Sequence, residues 1–212
     1  MLATLFSNPM VFVLWALAVI YAITTHEFSH VLMARLLGDD TGEKMGRLTL
    51  NPLVHIDALG FLLLIVAGFG WGNPAPFNPY NLRIKNTKIG SALVAMAGPF
   101  SNLISVVIGI AIVRLVFPSL GQDNLLIQFL GFLIMINLML MIFNLIPIPP
   151  LDGSKMLFGI LPNNRVWQTR EEMLERHGPW ILLALIMLDS FGNIGIFHFI
   201  FQWAVGIVSR FS

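Results

Sequence analysis

Of the chain's 212 residues, 57% are hydrophobic and only 11% are charged, against about 25% charged in an ordinary soluble domain. The mean hydropathy of +0.82 excludes a disordered chain and points to one multi-pass membrane domain, while a formal charge of +1 offers no field for gripping nucleic acid. With no cysteine there is no disulfide, thiolate metal site or cysteine nucleophile, so any metal must be held by His, Asp or Glu.

The first long apolar run extends from Met10 to about Leu37, interrupted by His26, Glu27, His30 and Arg35. A bilayer core of about 30 Å needs about 20 residues of helix, so the run is long enough to span. It is also too long, and too polar at its end, for a cleaved signal peptide. Within it, His26-Glu27-Phe28-Ser29-His30 has the HExxH pattern. Residues at i and i+4 lie one above the other on a helix face, so both imidazoles can reach one metal ion with Glu27 beside a bound water. Three ionisable groups on one turn of a membrane helix are expensive unless they serve an ion, a cavity or a partner.

Ala58 to Phe69 is apolar but short, reaching only about 18 Å as helix, and is expected to be re-entrant or partly embedded. Ahead of it, His55 and Asp57 are candidates to orient a zinc ligand or stabilise an oxyanion, or else to cap the element starting near Ala58, the expected role of Asp57. Trp71 to Pro79 is too proline-rich for helix and should be extended. It is either a segment that adds a strand to an extended peptide or an interfacial loop anchored by Trp71.

Ile89 to Phe117 and Leu125 to Ile146 are the next spans, the second stopped by Pro147, Pro149 and Pro150. Asn102 and Asn144 sit in these apolar runs, where an unpaired amide is costly; they bind substrate, steady the ligands, or bond across helices. Two histidines leave a catalytic zinc one ligand short, and Asp152 is the candidate third. It stands at the same end of its helix as His26 and His30 do of theirs, and Gly153 permits a sharp turn; its alternative role is to cap a turn over Ser154 to Ile160. Gln168 to His177 reads as a solvated helical turn. Trp180 to Leu188 is a fifth crossing if helix continues past Pro179, and Phe191 to Val208 is the last span. His177 and His198 have no partner at ligand spacing.

The expected fold is thus an all-α integral membrane protein of about five to six embedded helices. A single domain occupies residues 1–212, with its core at about 10–160 and C-terminal helices at about 179–210. If the first helix runs outside to inside and Ala58 to Phe69 does not cross, every Lys and Arg but Arg114 falls inside, as the positive-inside rule requires.

HEFSH in one membrane helix with PPLDG ending a later one resembles the site-2 proteases, which are intramembrane zinc metalloproteases. Gly98-Pro99-Phe100-Ser101-Asn102 is similar to that family's GPxxN, and Asn51-Pro52-Leu53-Val54-His55-Ile56-Asp57 to the NPxxHxD of its compact prokaryotic branch. The matches run in family order from Thr24 to Gly153, although Ala58 and Asn73 depart from that branch's usual Pro and basic residue. The resemblance implies a compact member without PDZ or CBS domain, in the cell membrane of a prokaryote, with its active site toward the cytoplasm. One zinc ion per chain would be held by His26, His30 and Asp152, with Glu27 as general base, and transmembrane helices of other proteins would be the substrate. A membrane metal carrier and a non-catalytic scaffold are the alternatives. Glu27 argues against the carrier, and the intact HExxH and LDG against the scaffold.

Overall fold

A computed structural model describes residues 6–67 and 70–192, together with Gly195, Gln202 and Gly206. Apart from one isolated bridge between Ile56 and Gly72, these residues are helix, turn and loop. Of the expected span Phe191 to Val208, all but Phe191, Gly192, Gly195, Gln202 and Gly206 fall outside the described residues.

Helix α1 (Pro9–Leu36) begins where Asn8 accepts the Val11 N–H, with Pro9 in the first turn, where its missing N–H costs nothing. It ends in a Schellman turn: Gly38 at φ 110° returns its N–H to Arg35 O, and Asp39 returns its own to Ala34 O. After a single turn, α2 (Thr41–Lys44), comes α3 (Ala58–Ala67), whose ten residues reach only about 15 Å. Among the described residues it is not one of the helices long and apolar enough to cross a membrane. Asp57 caps it by accepting the Gly60 N–H at 2.7 Å, its expected role.

The long helix α4 (Thr87–Leu120) opens on an Asn86 cap and runs through Pro99 and Pro118 to Gly121, at φ 73°. Asn124 caps α5 (Leu125–Asn144), which stops before Pro147. Helix α6 (Asp152–Ile160) follows the proline turn. Helix α7 (Arg165–Gly192) carries both the charged stretch and Trp180 to Leu188, and Pro179 does not end it.

Among the described residues, α1, α4 and α5 are the three helices long and apolar enough to cross a membrane. Only 33%, 22% and 28% of their most apolar windows are buried within the protein, so the rest of that apolar surface needs lipid. Helix α1 packs on α4 and α5, α4 packs on α5, and α6 lies against α4. Val106 and Val113 of α4 meet Leu130, Ile134 and Leu138 of α5 in the main core. Gly109 lets the two backbones close, since a Cβ there would come within 2.7 Å of Ile134.

Asp39, 1% exposed, pins the loop that returns past the end of α1. It accepts from the Thr41 hydroxyl (2.5 Å), the Asn78 N–H (2.7 Å) and the Asn81 amide (2.9 Å). Burial alone would raise its pKa, but these donors outweigh it and hold the carboxyl below the usual carboxylate value. A depressed native pKa contributes stability that is complete above the unfolded value of about 3.9 and is lost as pH falls through the lower native one. Thermal melts in detergent should therefore show a drop below about pH 4 that is shallower in Asp39→Asn. At pH 7 that variant should be less stable by about 1–3 kcal/mol, the cost of buried donors left unpaired. Identical acid limbs would remove Asp39 from this role.

Candidate metal centre

His26 and His30 leave α1 on the same face and are 4% and 5% exposed, their rings edge to face with centroids 4.7 Å apart. Asp152 is the first residue of α6. The residue before it, Leu151, occupies the cap position, so Asp152 does not serve as the cap of that helix. Its Oδ2 lies 3.2 Å from Nε2 of both histidines, and the two Nε2 atoms are 3.1 Å apart. The HExxH turn and the LDG turn thus meet at one point. Gly153 makes this possible, because a Cβ there would strike the Leu145 and Ile146 carbonyls of the proline turn.

The outward nitrogens decide what that point can hold. His30 Nδ1 lies 2.7 Å from the Val94 carbonyl, which can only accept, so Nδ1 carries the proton. His26 Nδ1 lies 2.7 Å from Asn102 Oδ1 and donates in the same way. Both Nε2 atoms therefore present lone pairs, and Asp152 Oδ2 is buried without a hydrogen-bond donor. Three electron pairs converging at 3.1–3.2 Å repel one another unless a cation lies between them. A tetrahedral zinc with bonds of about 2.0–2.1 Å has ligand-to-ligand edges of about 3.3 Å, so donor set and spacing both fit that ion.

Gly98 of α4 leaves room for this arrangement, since a Cβ there would lie 2.6 Å from Cε1 of each imidazole. Glu27 is half-buried beside the pair, and its Oε2 accepts the Ala75 N–H at 2.8 Å. Ala75 belongs to the 71–79 segment, which holds no α-helix, bridges to Ile56 at Gly72, enters a 3₁₀ turn at Pro79 and passes beside the site at Ala75. Asn73 donates to the His55 carbonyl at 2.7 Å, and Arg47 donates to the carbonyls of Asn73 (2.7 Å) and Pro74 (3.3 Å).

The other candidates separate. Asn102 bonds directly to His26. Asn144 bonds back to Leu140 O at 3.0 Å on its own helix rather than to the histidines or Asp152. His55, fully buried, donates from Nε2 to Thr49 O at 2.7 Å and supports the 71–79 segment. Sequence reasoning did not single out the Val94 carbonyl, the Ala75 N–H or Asn137. The first two are backbone groups with no side-chain signal. Asn137 carries the same signal as Asn102, an amide inside an apolar run.

The sequence model of Peptidase family M50 matches residues 110–185, which include Asp152. The chain is 41% identical over 152 residues to the Bacillus subtilis protein named "Putative zinc metalloprotease YwhC", covering 69% of this chain and 68% of that one. It is 35% identical over 184 residues to "Putative zinc metalloprotease Rip2" of Mycolicibacterium smegmatis, covering 84% of this chain and 67% of that one. It is also 32% identical over 161 residues to "Putative zinc metalloprotease MJ0611" of Methanocaldococcus jannaschii, covering 74% and 77%. No solved structure matches the chain with significance.

Proposed function

This chain belongs to peptidase family M50, the site-2 proteases, and from that premise we propose that it hydrolyses peptide bonds within membrane-spanning helices of other proteins. It is an integral membrane, zinc-dependent metalloprotease. In this reading His26, His30 and Asp152 hold one zinc ion and Glu27 is the general base. The observation that carries it is the convergence of three lone pairs from α1 and α6 beside a carboxylate that is not one of the three.

When bound, zinc supplies a Lewis acid that polarises the scissile carbonyl and lowers the pKa of a bound water toward about 7. The chain's own groups supply position and proton transfer. Hydrolysis puts a hydroxyl on the carbonyl carbon and a proton on the amine nitrogen as the C–N bond breaks. Glu27 takes that proton from water and delivers it to the amine. The Ala75 N–H holds Oε2, so the carboxylate enters the reaction already oriented. His30 lies six residues before the end of α1, about 9 Å along the axis, so the site is within the apolar layer but close to one face. Water reaches such a depth more cheaply than the bilayer centre.

Arg35, Lys44, Arg47, Arg83, Lys85 and Lys88 gather at that same end, where Arg83 donates its backbone N–H to Leu37 O. By the positive-inside rule this end faces the cytoplasm. The host is a prokaryotic cell membrane, in keeping with the relatives' organisms. A spanning helix has its peptide bonds tied into its own hydrogen bonds, so the substrate must unwind locally near this face before it is cut.

The test is cleavage by the full chain in liposomes, with single-span probe helices carrying an Asn-Pro break near either end. Products cut within the span near the basic end are expected, together with loss of cleavage on chelation and recovery with added zinc. Zinc-loaded protein that cuts none of the probes, or cuts equally well after chelation, would overturn the proposal.

A further inference from the structure

Asn137, fully buried on α5, hydrogen-bonds to Asn102 and Leu133 rather than to a proposed ligand, yet it terminates a hydrogen-bond chain that begins on one. Its Nδ2 donates to Leu133 O at 2.8 Å. A carbonyl can only accept, so the orientation of the Asn137 amide is fixed, with Oδ1 facing away from Leu133. That Oδ1 accepts from Asn102 Nδ2 at 2.8 Å, which in turn turns Asn102 Oδ1 toward His26. Asn102, also fully buried, then accepts from His26 Nδ1 at 2.7 Å. Each link leaves its neighbour a single choice, and the last choice is the proton on Nδ1 and the lone pair on Nε2.

We infer that Asn137 is a positioning residue for the metal centre: through Asn102 it sets the tautomer of His26 that lets Nε2 bind zinc. This rests on the ligand set proposed above. The two histidines reach the same end by different routes. His30 meets a backbone carbonyl, Val94 O, directly, whereas His26 meets the Asn102 amide and is tied to Leu133 O two amides away. Among the described residues, the Asn102 amide has Ala22 O, at 3.4 Å, as its other acceptor besides Asn137. With leucine at 137, the Asn102 amide is no longer held and can turn its NH₂ to His26. His26 would then carry its proton on Nε2, where zinc needs a lone pair. Aspartic acid in its neutral form has the same donor and acceptor pair, able to donate to Leu133 O and accept from Asn102.

The test is zinc affinity of the full chain in detergent, by competition with a chelator. Asn137→Leu is expected to weaken binding about 10- to 100-fold, the usual loss when a partner of a ligating histidine is removed. Asn137→Asp should bind close to wild type. Wild-type affinity in Asn137→Leu would mean that Asn137 only ties α5 to α4, and equal losses in both variants would mean that packing rather than the acceptor matters; either overturns the inference. Should Asn137→Leu fail to fold, ¹⁵N spectra of histidine-labelled, metal-free wild type decide: His26 must be the Nδ1–H tautomer, and the Nε2–H form sinks the idea. Asp152→Ala is the control, because unchanged zinc affinity there would refute the ligand set rather than the relay.

Discussion

Glu27→Gln is expected to abolish peptide hydrolysis while the protein still purifies with about one zinc per chain. The two side chains are nearly the same shape, and the glutamine carbonyl can still accept the Ala75 N–H, so the 71–79 segment should stay in place. What disappears is the only function assigned to Glu27, taking a proton from water and returning it to the amine. General-base catalysis of this kind contributes about 10²–10⁴-fold, or about 3–5 kcal/mol of barrier. The other carboxylate at the centre, Asp152, is turned to the histidines and cannot substitute. Initial cleavage rates of a probe helix beside metal content by mass spectrometry check the prediction. Retained cleavage would remove Glu27 from the mechanism, and loss of zinc would make it a ligand instead.

Much of this centre was legible because helical geometry is local. A four-residue spacing puts His26 and His30 on one face of α1 in any context, and long apolar runs located α1, α4 and α5 to within a few residues. Asp152 needed one further inference, that helix ends at equal depth meet, and the structure joins them at 3.2 Å. Proline was a weaker guide: it stops α5 at Pro147, but Pro99, Pro118 and Pro179 lie within continuous helices. In a bilayer, neighbouring helices can satisfy the carbonyls a proline frees, so it does not by itself end a span. The pattern GPFSN pointed to a family without giving a reason for its glycine. That reason is steric and lies 68 positions away in sequence, at His30, whose ring occupies the space a Cβ at Gly98 would take. The Val94 carbonyl and the Ala75 N–H had no signal, since every residue but proline carries such groups and only the fold selects which ones face the site.

Asp152→Ala should separate the stability of the metal-free chain from that of the loaded one. The Asp152 side chain is mostly buried, 13% exposed, at the first position of α6, and Leu151 rather than Asp152 caps that helix, so alanine should leave the chain able to fold without zinc. Zinc binding should suffer instead. A tetrahedral site that keeps only two imidazoles has lost its sole anionic ligand, and the loss should exceed the roughly 10- to 100-fold typical of outer partners. Free zinc at about 100 times the wild-type dissociation constant stabilises the native state by about 2.7 kcal/mol, visible as a higher melting temperature. Wild type should show that shift on zinc addition, and Asp152→Ala should show almost none while melting normally without metal. A variant that destabilises the metal-free fold yet keeps the full zinc-induced shift would make Asp152 a packing residue of the α6 turn. The third ligand would then have to come from elsewhere in the chain.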